Sequence, residues 1–185
     1  MTRIANVTRI VNDSAVRVLS PKRGFFKLTY IPLFDNDDLF PTRIKCIWDA
    51  AFDESVNSQF LRCYYVGLGP GTGRWKFLTT GGFQAEMLVT GAEVLTKGTE
   101  YVIICRWTSA DISEHDQVGQ ALDLWVNGVK ATQLTARPEN LAGADCNVYL
   151  GSSLNLDSNH EYADGHLRFA TIDIRCPTEE ELLRI

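Results

Sequence analysis

The sequence predicts an all-β protein, a two-sheet antiparallel jelly-roll sandwich that ends in a short helix. Segments rich in aromatic and β-branched residues recur along the chain, and clusters of Gly, Pro, Asn and Asp separate them. A helical pattern is confined to the C-terminal tail. Strands at short spacing with such turn residues are typical of sandwiches and barrels. The 185 residues, 45% of them hydrophobic, fit one domain with a sizeable core.

The strand segments follow one another from residue 25 onward. Residues 101–108 alternate, with Tyr101, Ile103, Cys105 and Trp107 on one face, which is the period-two pattern of a half-buried strand. The dipeptide at 127–128 is Asn-Gly, which readily adopts the positive φ values of a type I′ turn and therefore predicts a hairpin. The other predicted strands are residues 25–31, 43–48, 60–66, 76–80, 83–90, 147–151 and 167–175.

The two ends of the chain depart from this pattern. Residues 1–22 are more polar and are predicted to form an N-terminal arm outside the core, so that residues 23–185 are the sandwich domain. At the other end, residues 177–183 predict the short helix. Thr178 can cap its N-terminus while Glu181, three residues on, reaches back in a capping box.

Charge and hydropathy exclude several classes of function. A net charge of −5 disfavours binding to nucleic acid or anionic lipid, because both require a basic surface. No apolar segment of the signal-peptide type follows Met1, and no apolar run reaches the ~18 residues of a membrane span. The chain is therefore expected to be made in the cytosol, or released without a leader, and to have no membrane partner.

The five cysteines do not indicate a zinc site. Their number is odd and no Cys-x-x-Cys pair occurs, although structural zinc sites usually need such pairs. Two interpretations stay open for Cys46, Cys63, Cys105, Cys146 and Cys176. They are buried free thiols of a reducing compartment, or some form disulfides, including one between subunits.

Several motifs of the C-terminal half occur in an order that resembles a known group of folds. Residues 122–129 read Leu-Asp-Leu-Trp-Val-Asn-Gly-Val, 148–153 read Val-Tyr-Leu-Gly-Ser-Ser, and 177–182 read Pro-Thr-Glu-Glu-Glu-Leu. They resemble the L-x-L-Y-V-N-G, L-Y-I-G-S and L-T-x-E-E-I motifs of the laminin-G-like branch of the concanavalin A-like lectin/glucanase superfamily. The resemblance covers roughly residues 99–185. It implies a jelly roll with adjacent chain ends, in which residues 25–31 pair with 167–175.

The carboxylates do not form the pattern of a glycosidase, so the protein is predicted not to be an enzyme. Retaining hydrolysis needs two carboxylates about 5–5.5 Å apart, which a strand would supply at positions i and i+4, and no predicted strand does so. The acidic run at 35–38 has two interpretations. Asp35 and Asp37 are ligands of a calcium ion, the one cofactor considered, or solvated turn residues.

Two segments are candidates for sugar binding. Trp75 follows the glycine-rich stretch 67–73, where an exposed indole could stack on a pyranose ring. The alternative is that Trp75 re-enters the core after a hairpin connection. Asp157, Asn159 and His160 lie in a polar loop and are the other candidate ligand-binding residues, with solvated loop side chains as the alternative.

These observations predict a non-catalytic structural or binding protein. Domains of the resembling family usually lie outside cells within long secreted chains, whereas this chain is expected to stand alone, without leader, anchor or linker. A bacteriophage virion surface component, such as a head decoration or fibre protein, fits both facts. Such a protein is assembled in the host cytoplasm with other subunits, as a homo-oligomer, and is exposed on the released virion. The alternative is a stand-alone carbohydrate-binding module with glycans as its partners.

Overall fold

The computed structural model describes residues 8–12, 20, 23–39, 43–51, 60–79, 84–108, 121–133, 146–151, 160–174 and 177–184, a few of them by their backbone alone. These residues form two β-sheets and three short helices. The larger sheet contains β1 (Thr8–Asn12), β3 (Ile44–Ala51), β4 (Phe60–Gly69), β5 (Thr72–Thr79), β6 (Gln84–Thr90), β10 (Thr132–Gln133), β11 (Cys146–Leu150) and β12 (His160–Tyr162). The smaller sheet contains β2 (Arg23–Pro32), β7 (Tyr101–Thr108), β8 (Ala121–Val126), β9 (Val129–Lys130) and β13 (Gly165–Asp173). Two 3-10 helices span Asn36–Leu39 and Gly91–Glu93, and α1 spans Glu179–Arg184.

The strand order confirms the predicted sandwich. It is β1-β11-β3-β4-β5-β6-β10 in the larger sheet, with β12 also on β3, and β13-β2-β7-β8-β9 in the smaller sheet. Among the described strands, every pair is antiparallel except β12 with β3, which is parallel. The all-β fold class and the short C-terminal helix are therefore as the sequence predicts.

Aromatic side chains from both sheets fill the core. Trp48 of the larger sheet is fully buried, and its ring centroid lies 4.7 Å from that of Phe26 and 6.2 Å from that of Trp107, both in the smaller sheet. Phe77 lies 5.7 Å from Trp48 on the same sheet. Burial of one such side chain contributes about 1.5–3 kcal/mol, and a tilted aromatic pair adds about 0.5–1.5 kcal/mol. These contacts join the two sheets.

The Asn127-Gly128 hairpin is present as predicted. Val126 pairs with Val129, and the two turn residues have φ values of 51° and 79°, as a type I′ turn requires. The Asn127 side chain also fixes the turn to a neighbouring strand, because its Oδ1 accepts a hydrogen bond from the Val102 backbone N at 2.8 Å. Asn127 therefore serves both the local turn and the packing of β8 against β7.

The first and last core strands pair, which confirms the expectation drawn from the resemblance. β13 runs antiparallel to β2, from Gly165 opposite Pro32 to Asp173 opposite Phe25. The register shifts between Arg168 and Thr171, where a bulge interrupts the ladder. This pairing places strands from opposite ends of the sequence side by side in the smaller sheet.

Part of the predicted N-terminal arm belongs to the sandwich. Residues 8–12 form β1, which pairs antiparallel with β11 along its whole length. Even a fairly polar segment can complete a sheet edge in this way through backbone hydrogen bonds. The division into an arm at residues 1–22 and a domain at 23–185 stays a prediction. Residues 1–7, 13–19 and 21–22 lie outside the described part of the chain.

The C-terminal helix has the predicted capping box and covers the smaller sheet. The Glu181 backbone N donates to Thr178 Oγ1 at 3.3 Å, while the Thr178 backbone N donates to Glu181 Oε2 at 2.8 Å. Leu182 is fully buried, in contact with an outward-facing cluster of Phe25, Ile104 and Trp125. In the part of the chain that is described, no helix is long and apolar enough to cross a membrane.

Three of the five cysteines are buried free thiols. Cys46, Cys63 and Cys105 are fully buried and form no disulfide. Burial raises the pKa of the Cys46 and Cys63 thiols, so both stay protonated and unreactive at neutral pH. This confirms the free-thiol interpretation for these residues. The side chain of Cys146 and all of Cys176 lie outside the described residues.

Candidate functional site

The outer face of the larger sheet carries a compact group of charged side chains and one tyrosine. Successive side chains of a strand point to opposite faces. On β4, Cys63 and Tyr65 are therefore in the core, while Arg62 and Tyr64 point outward. On β5, Trp75 is in the core, and the residues before and after it point outward. We call the resulting outer group the polar face; its members are Asp49, Arg62, Tyr64, Arg74, Lys76 and Glu86.

Strand register sets the ion pairs of the polar face. Arg62 lies opposite Asp49, and its Nη2 is 2.9 Å from Asp49 Oδ2. Lys76 lies opposite Glu86 and forms an ion pair with its Oε1, while Arg74 Nη1 is 2.9 Å from Glu86 Oε2. Each cation thus has a carboxylate partner, and Glu86 is shared by two cations.

The side chains of the polar face are only partly exposed. The side chain of Asp49 is 0% exposed, that of Glu86 10%, and that of Arg74, the most open of the ion-paired group, 33%. Burial, followed by the negative charge of Glu86, raises the pKa of Tyr64 to about 12. Tyr64 is therefore a neutral phenol at physiological pH. Partly desolvated groups of this kind form stronger hydrogen bonds than groups in open water.

The carboxylates of the polar face do not have the spacing of a glycosidase. Asp49 is on β3 and Glu86 on β6, three strands apart in the sheet. At the usual strand spacing this separation is about 14 Å. Hydrolysis by a carboxylate pair needs about 5–5.5 Å for retention or about 6.5–9.5 Å for inversion. Both carboxylates are also held in ion pairs, so this face can bind polar groups but does not hold a hydrolytic pair.

The predicted calcium ligands Asp35 and Asp37 take part in hydrogen bonds between loops. Asp35 Oδ1 accepts from the Lys97 backbone N at 2.8 Å, and Asp37 Oδ1 accepts from the Gly71 backbone N at 2.9 Å. The Gly71 N–H, and then the Asn36 amide, lower the pKa of Asp37. Within the described residues, no three His, Cys, Asp or Glu side chains form a group that could hold a metal ion. Calcium binding here stays a prediction.

Trp75 does not occupy the exposed position that sugar stacking requires. Its side chain is fully buried, and its ring centroid lies 4.8 Å from that of Tyr65 and 5.7 Å from that of Tyr101. The stacking prediction is corrected because Trp75 falls on the inward positions of β5, as the alternative interpretation held. Asp157 and Asn159 lie outside the described residues, and His160 is described only as a backbone position of β12.

Sequence reasoning missed the polar face although a signal was present. Arg74 and Lys76 flank Trp75, and Arg62 and Tyr64 alternate with core residues in the same way. The alternation identifies these side chains as outward-facing once the inward set is known. It does not reveal that β4, β5 and β6 are neighbours, and that adjacency places Glu86 beside both cations.

Comparison with known proteins supports the fold. No protein-family model and no curated protein sequence matches this chain. Several solved structures, however, match this chain in fold. A carbohydrate-binding module, the Ruminococcus gnavus IT-sialidase CBM40 bound to α2,3-sialyllactose, is 15% identical with a TM-score of 0.56 over 88% of this chain and 82% of that one. Mouse laminin α1 domains LG4-5 are 10% identical, with a TM-score of 0.54 over 94% of this chain and 40% of that one. The enzymatically active domain of bacteriophage CBA120 tailspike protein 2 is 13% identical, with a TM-score of 0.60 over 95% of this chain and 25% of that one.

These similarities define the class of fold. The chain has the concanavalin A-like jelly-roll fold, as the motifs of its C-terminal half indicate. At identities of 10–15% the likeness shows the fold alone.

Proposed function

We propose that this protein is a non-catalytic, lectin-like module that binds a glycan on the polar face. The observation that carries the proposal is the grouping of partly buried Arg, Lys, Glu and Tyr side chains on one face of the larger sheet. Sugar hydroxyls both donate and accept hydrogen bonds. Arg74 and Lys76 supply donors, Glu86 supplies acceptors, and the neutral phenol of Tyr64 can act as either.

Two further facts support this function. The fold is shared with a carbohydrate-binding module that is bound to sialyllactose. The two carboxylates of the polar face, about 14 Å apart by strand count, are too distant to act as acid and nucleophile. A surface with hydrogen-bonding groups but no such pair suits recognition rather than turnover.

The proposal is tested by a glycan array followed by calorimetry on the glycans that bind. Arg74→Ala should weaken binding by roughly tenfold, because a hydrogen bond from a charged donor is lost. The matched control is Arg168→Ala, which removes an exposed arginine from the outer face of the smaller sheet and should leave binding unchanged. Failure of every glycan to bind, or equal loss in both variants, would contradict the proposal.

A second candidate function is a bacteriophage virion surface protein that assembles in the host cytoplasm with other subunits. The likeness to a tailspike domain favours it, although this chain spans only 25% of that protein's structure. On this proposal the purified chain is a homo-oligomer and is found by mass spectrometry in virions from its source. A monomer in light scattering, together with its absence from purified particles, would contradict it. Glycan binding and a virion location are compatible.

A further inference from the structure

We infer that the glycan bound by the polar face carries a negative charge, as a carboxylate or a sulfate ester, and that Arg74 and Lys76 receive this group. The inference rests on the proposed glycan binding and adds the class of ligand. Its basis is the balance of charge on the polar face, the position of the two cations, and the surface beside them.

The polar face has more cations than carboxylates. Among its described side chains, Arg62, Arg74 and Lys76 are positive and two residues are negative. Asp49 is taken by Arg62, so Glu86 neutralises only one of the other two cations. Among the described side chains of this face, one positive charge is left over, in a chain whose net charge is −5. A partly desolvated excess of positive charge favours an anion over a neutral ligand.

The excess positive charge is located at Arg74 and Lys76. Arg74 and Lys76 are two residues apart on β5, so their Cα atoms are about 7 Å apart and both side chains point outward. Each oxygen of Glu86 contacts one of the two cations, so the carboxylate lies between the two head groups. A guanidinium has five N–H donors and an ammonium has three, so both cations retain donors for a second anion. Arg74, the more open of the two, is placed to meet the ligand first.

An apolar surface lies beside the cations. Leu88 is opposite Arg74 in the ladder between β5 and β6, and it is one of the few large apolar side chains of the described chain that are exposed. Saccharide rings have apolar C–H surfaces as well as hydroxyls. A charged group on Arg74 and Lys76 would therefore place the ring against Leu88, which distinguishes an acidic sugar from a simple inorganic anion.

The test uses ligand pairs that differ at the charged group: 3′-sialyllactose against the neutral carboxamide of the same trisaccharide, and a sulfated against an unsulfated galactose disaccharide. Calorimetry at low and at high salt should show that the acidic member binds roughly tenfold or more tightly, and that salt weakens its binding. Equal binding of charged and neutral members would overturn this inference and leave the proposed function standing. If no member of either pair binds while other glycans of the array do, the inference is overturned and the proposed function stands. If no glycan of the array binds, both are overturned.

Substitutions at Arg74 test the assigned residue. In Arg74→Gln, Glu86 neutralises Lys76, so the preference for the acidic member should disappear. Arg74→Lys retains the charge and should retain the preference. Arg168→Gln, on the opposite side of the sandwich, is the matched control for net charge and should bind like the unmodified protein. An unchanged preference in Arg74→Gln would overturn the assignment, and circular dichroism of each variant establishes that the fold is intact.

Discussion

The ion pair beneath the C-terminal helix allows a quantitative prediction about stability. Arg106 on β7 and Asp123 on β8 lie opposite each other, with side chains only 5% and 7% exposed. Arg106 Nε and Nη2 both donate to Asp123 Oδ2, at 2.9 and 2.5 Å, and Nη1 donates to the Pro177 carbonyl at 2.9 Å. The pair therefore connects the smaller sheet to the segment that leads into α1.

We expect Asp123→Asn to lower the free energy of unfolding by about 3 kcal/mol. Breaking a buried pair costs about 3–5 kcal/mol because the remaining charge is left uncompensated. The lower end applies here, since Arg106 keeps the Pro177 carbonyl and its position 5.0 Å above the Trp125 ring. For a domain of this size, such a loss lowers Tm by about 6–12 °C.

The assay is urea unfolding followed by circular dichroism, with Lys130→Ala as the control. Lys130 also approaches Asp123, at 3.4 Å, but its side chain is 41% exposed, so its loss should cost under about 1 kcal/mol. The double variant with Arg106→Met and Asp123→Leu should recover most of the stability, because the pair itself contributes little net free energy. A cost below about 1 kcal/mol for Asp123→Asn would refute the reasoning, and so would a double variant no more stable than the single one.

Three other predictions follow from particular contacts. Gly128→Val should lower the free energy of unfolding, measured by urea titration, by about 1–2 kcal/mol, and Gly128→Ala should lower it less. The φ of Gly128 is 79° and no atom lies within 4 Å of an added Cβ, so the cost comes from backbone strain alone. An unchanged free energy would contradict the type I′ turn. The pKa of Asp37 is lower in the folded state than in the unfolded state. The ionised carboxylate therefore stabilises the folded protein fully above the unfolded-state pKa of about 4, and this contribution is lost as the pH falls through the folded-state pKa. Asp37→Asn should therefore reduce the fall in Tm between neutral and acidic pH, and equal acid slopes in both proteins would count against this role. Leu182→Ala should cost about 2 kcal/mol in the same urea assay, whereas the exposed Arg184→Ala should change stability by under about 0.5 kcal/mol; similar effects of the two would mean that α1 is not packed on the sheet.

The sequence alone predicted the elements that local forces determine. The hairpin at Asn127-Gly128 depends on the φ preferences of two adjacent residues, and the capping box depends on Thr178 and Glu181, three positions apart. The alternation in residues 101–108 likewise predicted which side chains of β7 share a face, and Tyr101, Ile103, Cys105 and Trp107 lie together in the core. Each of these signals lies within a few residues of the chain, where backbone sterics and side-chain alternation act directly. The pairing of β2 with β13 came from the resemblance of the C-terminal motifs, not from any local signal.

Only the tertiary structure decided which of these elements are neighbours. Glu86 lies beside Arg74 and Lys76 because β6 pairs with β5 in one particular register, and a shift of one residue would turn Glu86 to the opposite face. Asp37 accepts a hydrogen bond from the backbone N of Gly71, 34 residues away in the sequence. Residues 8–12 join the larger sheet by pairing with β11, more than 100 residues further along the chain. The sequence identified Trp75 as a notable side chain but not its direction, because either face of β5 could have been the core face until the second sheet packed on one of them. Contacts of this kind are fixed by long-range packing, in which the burial of apolar side chains between two sheets selects among registers that are locally equivalent.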